Sequence, residues 1–459
     1  MISYGRRQTP APAGPDPTPM SPEQQEKISY LKPAPRIIPR GEHVISRDAI
    51  SDNALKVLYR LKNAGYEAHL VGGSVRDLLL GREPKDFDVA TNAHPEQIRE
   101  LFRNCMLIGR RFRLAHVRFG REIVEVSTFR APHHVSDVDG LSADGGRIVR
   151  DNVYGTIDDD VWRRDFTANA LYYNIRDFSV VDYVGGVADI QAGLIRLIGE
   201  PERRFTEDPV RLLRAVRFAV KLGFRIHPDT ERPIAALAPL LNDIPSARLY
   251  EEVLKLFLGG CALQTFEQLR RQGLFGSLFP QTEAVLAKEE NGFPQMLLAQ
   301  ALGDTDRRIA ENKPVTPGFL VAALLWSPMH AEAAEFMARG LAEAEAISMA
   351  SDAVISRQVG RIAIPRRFTL VAREIWQLQS RFARRAGKRP QRLIEHPGFR
   401  AAYDFLLLRV RSGEPVGELA DWWTEFQRGA VIPEAVEPVP AGRRRPRRRG
   451  RRGGNPGRR

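Results

Sequence analysis

His69-Leu70-Val71-Gly72-Gly73-Ser74-Val75-Arg76-Asp77, followed after eight intervening residues by Asp86-Phe87-Asp88-Val89, is the stretch on which the fold turns. A short apolar strand runs straight into paired glycines, which let the backbone turn tightly and approach a ligand closely. A helix follows, with Ser74 placed to cap it and Gly81 to end it. The bare N–H groups of a helix start attract anions. Arg76, on the first turn, could add a charge-assisted contact to a phosphate. Taken alone, the pattern also fits a plain strand–turn–helix corner carrying a surface Arg. The spacing of Asp86 and Asp88 predicts a strand with both carboxylates on one face and Phe87 and Val89 turned to the core. Paired carboxylates repel unless a cation lies between them, and hard oxygen ligands suit Mg²⁺. An exposed edge strand with solvated acids has the same look, but the short separation lets glycine turn and acids border one pocket.

Outward from this core the texture is mixed. Short β-branched runs at 69–71, 86–89, 116–119, 123–128 and 180–183 alternate with helical stretches, predicting an α/β or α+β domain with a small sheet. From Glu207 onward strand signals vanish, and Leu, Ala and Arg recur at helical spacing. Residues 1–40, with nine Pro, read as a disordered leader, and 436–459 as a disordered Arg-rich tail. The chain has 459 residues, 69 Lys+Arg, 56 Asp+Glu and a formal charge of +13. Ten Arg and no acid fall within 443–459, and the leader holds six basic and three acidic residues, so the middle is formally neutral. Basic ends point to a polyanionic partner. No apolar run of about 18 residues predicts a membrane span. Two cysteines, Cys105 and Cys261, supply no disulfide framework or metal spacing and suggest a reducing compartment. No Gly-x-x-x-x-Gly-Lys-Ser/Thr loop is present. His133-His134 reads as loop rather than ligand.

Two further stretches carry chemistry. In Trp162-Arg163-Arg164-Asp165-Phe166-Thr167-Ala168-Asn169-Ala170-Leu171, Asp165 could be a third carboxylate and Arg164 could grip a triphosphate. Glu125, mid-strand among apolar neighbours, is a rival third carboxylate. Glu207-Asp208-Pro209 starts a helix with acids at the end its dipole prefers. Arg211, Arg214 and Arg217 then form a basic stripe, with Leu212, Leu213, Val216 and Phe218 behind it. Asp208 with Arg211 could read adenine, the carboxylate accepting from the 6-amino group and Arg donating to a ring nitrogen. A solvated amphipathic helix shares the pattern.

In order and spacing these four motifs resemble those of the class II nucleotidyltransferases, the family of tRNA CCA-adding enzymes and bacterial poly(A) polymerases. The closer likeness is to the poly(A) polymerases. It shows in Asn104-Cys-Met-Leu-Ile-Gly109-Arg110-Arg-Phe-Arg113-Leu-Ala-His116-Val, Tyr172-Tyr173, Asp182-Tyr-Val-Gly-Gly-Val, Ile375-Trp-Gln-Leu-Gln379 and the Arg-rich end. The resemblance implies an α+β fold: a polymerase-β-like nucleotidyltransferase head with a small mixed sheet, then an all-α neck and body. The bounds expected are head 41–199, helical neck 200–275 and RNA-binding helical body 276–435. Asp86 and Asp88 would hold Mg²⁺ in a two-metal site, with Asp165 in the third carboxylate place. Gly73, Arg76 and Arg164 would hold ATP as substrate. Asp208 and Arg211 would read the base, with Arg214 and Arg217 nearby.

The activity implied is template-independent addition of AMP to RNA 3′ ends. CCA addition to tRNA is the alternative, and a non-catalytic RNA-binding protein the second. Residues 357–400 hold twelve basic residues against Glu374 and Glu395, interleaved with Phe368, Trp376 and Phe382, a composition that can stack bases and neutralise phosphates. The expected setting is a cytoplasmic monomer acting on mRNA, small RNA and possibly tRNA. RNA-decay machinery and an RNA chaperone are implied as partners by the resemblance.

Overall fold

The structure is a computed structural model and describes residues 34–109, 113–131, 153–288 and 296–429. The chain divides into two compact units, Met1–Pro201 and Glu202–Arg459. The leader up to 33, the run 110–112, His133-His134 and the Arg-rich tail lie outside the described residues.

The first unit is built on an eight-stranded mixed sheet: β1 (Arg36–Ile38), β2 (Ala68–Val71), β3 (Asp88–Thr91), β4 (Cys105–Ile108), β5 (Leu114–Phe119), β6 (Glu122–Thr128), β7 (Leu171–Asn174) and β8 (Val180–Asp182). Their order across the sheet is β1-β8-β7-β2-β3-β6-β5-β4. Neighbours are antiparallel except β3 and β6, which run parallel. The sheet is larger than composition suggests. β1 falls in the stretch read as disordered leader, where Arg36-Ile37-Ile38 offers β8 a short edge partner. β4 and β7 are further strands that alternation alone does not mark.

Alternation along β5 and β6 follows the pleat. Ala115, Val117, Val124 and Val126 are buried, whereas His116, Arg118, Ile123 and Glu125 face the other side with more exposure. Helix α1 (Asp52–Asn63) is capped by Ser51 Oγ, which accepts from the Ala54 N–H, and buries Ala54, Val57, Leu58 and Leu61. Helix α2 (Gly73–Leu79) follows β2 directly, and Gly81 ends it at φ +67°. Helix α3 (Ile157–Arg163) starts on a Thr156–Asp159 capping box.

Beyond α4 (Pro201–Glu207), the described residues of the second unit form helices apart from the two-residue strand Arg225–Ile226 and the connecting turns. Helix α5 (Val210–Leu222) buries Val210, Leu212, Leu213, Ala215, Val216, Ala219 and Leu222 on one face and closes on Gly223 at φ +72°. Farther on, Phe382, Leu393, Ile394, Phe399, Tyr403 and Trp423 share one buried cluster. There the Trp423 indole donates to the Phe382 carbonyl at 2.9 Å.

Candidate active site

The register of the sheet assembles the site. Val71, the residue before the glycine turn, lies opposite Asp88 on one side and Tyr172 on the other. Asp88 lies opposite Glu125, and Glu125 opposite His116. One row of side chains on one face therefore reads Tyr172, Val71, Asp88, Glu125, His116. Val71 and Tyr172 are covered by a cluster that includes Phe129, Val161 and Ile198. Asp88 keeps its exposure.

Asp86 differs from the expected strand position. It lies in a bend just before β3, exposed, and Phe87 is only half-buried. Pro84 and the turn into β3 delay the pleat, so Asp86 and Asp88 are neighbours without sharing a regular strand face. Crowding by protein and then repulsion from Glu125 push the Asp88 carboxyl up to about 6; Asp86 adds to the push, while Arg164 opposes it. The His116 Nε2 lies 3.3 Å from Glu125 Oε2. Asp165 is occupied differently: its Oδ1 accepts from the Phe166 N–H at 2.8 Å.

At the turn, Gly72 has φ +72° and ψ −134°, a conformation that only glycine adopts without strain. Gly73 opens α2. Ser74 does not cap that helix; its hydroxyl donates to the Val71 carbonyl at 2.9 Å. Arg76 is buried, at 3% exposure. Its Nε and Nη2 donate to Asp77 Oδ1 at 2.9 and 2.7 Å, and its Nη1 to Asn169 Oδ1 at 2.5 Å. This guanidinium ties the turn to the strand-and-turn segment after Asp165.

Arg164 stands beside the turn, where a Cβ on Gly72 would come 3.7 Å from its Nη1. Sequence reasoning missed what holds it. Asp160, 1% exposed, accepts from Arg164 Nη2 at 2.8 Å, Arg163 Nε at 3.0 Å and the Tyr172 hydroxyl at 2.7 Å. The Tyr172 oxygen in turn accepts from Arg164 Nε at 2.7 Å. Burial alone would raise the Asp160 carboxyl, but the Arg164 and Arg163 guanidiniums and the Tyr172 hydroxyl outweigh it and hold it at about 2. The signal was present: Asp160 precedes Arg164 by one helical turn, just after the Thr156–Asp159 box.

The remaining candidates belong to the second unit. Asp208 Oδ2 accepts from Arg248 Nη2 at 2.8 Å, and its Oδ1 from the Val210 N–H at 3.3 Å. Arg211 Nη1 donates to the Arg204 carbonyl at 2.7 Å and approaches Glu207 Oε2 at 3.4 Å. Arg217 lies 4.6 Å above the Phe218 ring and Arg214 5.7 Å from it. Phe218 thus supports the stripe instead of lying in the core. In the basic stretch 357–400, Trp376 and Phe382 are fully buried, and the Trp376 indole donates to the Ala322 carbonyl. Neither can stack on a base.

Comparison with known proteins decides the family. A poly(A) polymerase I of Salmonella typhimurium is 52% identical over 93% of this chain and 95% of its own length. The chain belongs to the bacterial poly(A) polymerase I family. Family models match its head at 68–196 ("Poly A polymerase head domain"), 223–286 ("Probable RNA and SrmB- binding site of polymerase A") and 339–454 ("Polymerase A arginine-rich C-terminus"). A poly(A) polymerase I of Haemophilus influenzae is 47% identical over 85% of this chain and 88% of its own. A CCA-adding enzyme of Lactobacillus helveticus, 39% identical, aligns with 47% of this chain and 52% of itself. Among solved structures, the Bacillus stearothermophilus CCA-adding enzyme in complex with CTP superposes with a TM-score of 0.53 at 27% identity, covering 82% of each chain. Members of the poly(A) polymerase I family are RNA nucleotidyltransferases, and the α+β head followed by helices agrees with the expected fold class. No helix among the described residues is long and apolar enough to cross a membrane.

Proposed function

We propose that the chain adds AMP from ATP to RNA 3′ ends without a template and releases pyrophosphate. The observation that carries this reading is the row that sets Asp88 and Glu125 beside the Gly72-Gly73 turn and Arg164, in a chain 52% identical to a poly(A) polymerase I. The RNA 3′-hydroxyl attacks the α-phosphate, a new O–P bond forms, and the bond to the β-phosphate bridge breaks.

Asp86, Asp88 and Glu125 offer hard carboxylate oxygens on adjoining segments, which fits a divalent cation. Among the described residues, no three such groups are yet drawn into a coordination cluster. Two Mg²⁺ ions held there would lower the pKa of the attacking hydroxyl and neutralise charge on the leaving pyrophosphate. Glu125 takes the third place in this reading because it faces Asp88 directly. Asp165, bonded to the Phe166 N–H, instead fixes the chain after Arg164. The N–H groups at Gly73 and the Arg164 guanidinium hold the triphosphate, and Arg76 braces their turn from inside. Asp208 and Arg211 read adenine, each kept in place by its own ion pair, with Arg214 and Arg217 extending the basic stripe. By family resemblance the protein works as a cytoplasmic monomer on mRNA, small-RNA and tRNA ends, alongside RNA-decay enzymes and an RNA chaperone.

The deciding experiment incubates labelled RNA with Mg²⁺ and each nucleotide separately. Long ladders with ATP alone are expected, and Asp86→Ala or Asp88→Ala abolishes them while sparing RNA binding. Addition of only C, C and A to a tRNA lacking its end would replace this reading by CCA addition.

A further inference from the structure

The row that carries Asp88 and Glu125 does not end at His116. His116 lies opposite Met106 on β4, so the same face continues to the edge of the sheet. Ile108 stands two residues beyond Met106 on that face, opposite Leu114. Ile123, two residues before Glu125, lies opposite Arg118. Met106, Ile108 and Ile123 are 45%, 39% and 39% exposed, and they make up three of the six exposed large apolar side chains described in the first unit. Single exposed apolar residues are ordinary, but a cluster of them beside a reactive centre marks a surface that something covers. Arg118 is also exposed and forms no ion pair among the described residues.

The direction of the reaction fixes what can cover it. In phosphoryl transfer the attacking and leaving oxygens lie roughly in line, on opposite sides of the phosphorus. The Gly72-Gly73 turn follows β2, and Arg164 is bonded to Tyr172 of β7. Both therefore adjoin one side of Asp88, and pyrophosphate held by them leaves toward that side. The attacking hydroxyl then comes from the other side, over β6, β5 and β4. Two strand spacings, about 10 Å, separate Glu125 from Met106, which is room for one nucleoside. An apolar floor removes the flat face of a base and its ribose from water. A guanidinium at the margin of that floor suits the phosphate that joins the nucleoside to the rest of its strand.

We propose that Met106, Ile108, Ile123 and Arg118 seat the 3′-terminal nucleotide of the acceptor RNA, with the apolar side chains beneath its nucleoside and Arg118 on the phosphate before it. The assignment rests on the activity proposed above, since the position of the triphosphate sets the side from which RNA arrives. Two experiments with full-length protein test it. The first extends a labelled hexanucleotide, short enough for its end to govern binding. In Arg118→Gln and in Met106→Ser/Ile123→Ser its KM should rise about tenfold, the worth of one charge-assisted hydrogen bond or one covered apolar side chain, while the KM for ATP stays within about twofold. The comparison variant Ile37→Ser removes an exposed apolar side chain from the opposite edge strand of the same sheet and should change neither value. An unchanged RNA KM in the first two variants, or an equal rise for RNA and ATP, overturns the proposal. The second experiment needs neither turnover nor a variant. RNA carrying a photoreactive thiouridine at its 3′ end, irradiated on the wild-type protein, should cross-link within residues 104–123. Cross-links found only outside that stretch overturn the seat. A protein that cross-links there yet extends no RNA with ATP overturns only the activity.

Discussion

Replacing Asp160 by Asn keeps the shape of the side chain and removes the charge around which Arg163, Arg164 and Tyr172 are arranged. The expected cost is about 1–3 kcal/mol of stability, since buried donors lose a charged acceptor. Chemical denaturation measures it, and a change near zero would contradict the network. The pH dependence follows from the folded carboxyl sitting at about 2, below the ordinary value of about 4. A depressed folded pKa stabilises above the unfolded value and is lost as pH falls through the folded one. The stability gap between wild type and Asp160→Asn is therefore flat above about pH 4 and narrows toward pH 2. At the metal site, Glu125→Gln should lower AMP addition about 100-fold or more and weaken Mn²⁺ binding read by electron paramagnetic resonance. Asp165→Asn should leave Mn²⁺ affinity intact. The reverse pattern would return the third carboxylate place to Asp165. Composition showed the acids but not their partners: Arg76 reads as a surface phosphate ligand in sequence, yet burial against Asp77 and Asn169 occupies it.

At the scale of elements, the glycine turn was legible because φ > 0 and close approach demand glycine, and Gly72 has both. Gly72→Ala should cost about 1–3 kcal/mol from the backbone alone. It should also raise the KM for ATP, measured in the extension assay, since its Cβ points toward Arg164. Gly186, at the start of the helix Gly186–Ala192, tests the same logic away from the site. A Cβ there would fall 2.3 Å from the Thr167 carbonyl oxygen, so Gly186→Ala should lower the melting temperature by several degrees. Strands were legible where β-branched residues alternate, as in Glu122-Ile-Val-Glu-Val-Ser-Thr128. β1 and β7 were not. β1 is three residues inside a Pro-rich stretch, and Leu171-Tyr-Tyr-Asn174 is buried along nearly its whole length, so it has no alternation to read. The same limit hid Trp376 and Phe382: their positions beside Arg suggested stacking, whereas the helix Arg366–Phe382 turns both inward.

For the whole molecule, the charge is partitioned. Between residues 41 and 442 the formal charges cancel, and the surplus lies at the two ends. Deleting 443–459 should lower the salt slope of RNA binding by up to about 7, at ~0.7 per phosphate, while AMP addition to saturating RNA persists. An unchanged slope would remove the tail from RNA binding. β1 pairs with β8, so Arg36–Ile38 has no partner until Val180–Asp182 has been made. β2, next to the glycine turn, waits for Leu171–Asn174 in the same way. Along the chain, the carboxylates of β3 and β6 precede Arg164 and Tyr172, which flank them in the sheet. Long-range pairings of this kind close slowly. The finished site therefore joins carboxylates from β3 and β6 to Arg164 and Tyr172 contributed by a later stretch of the chain.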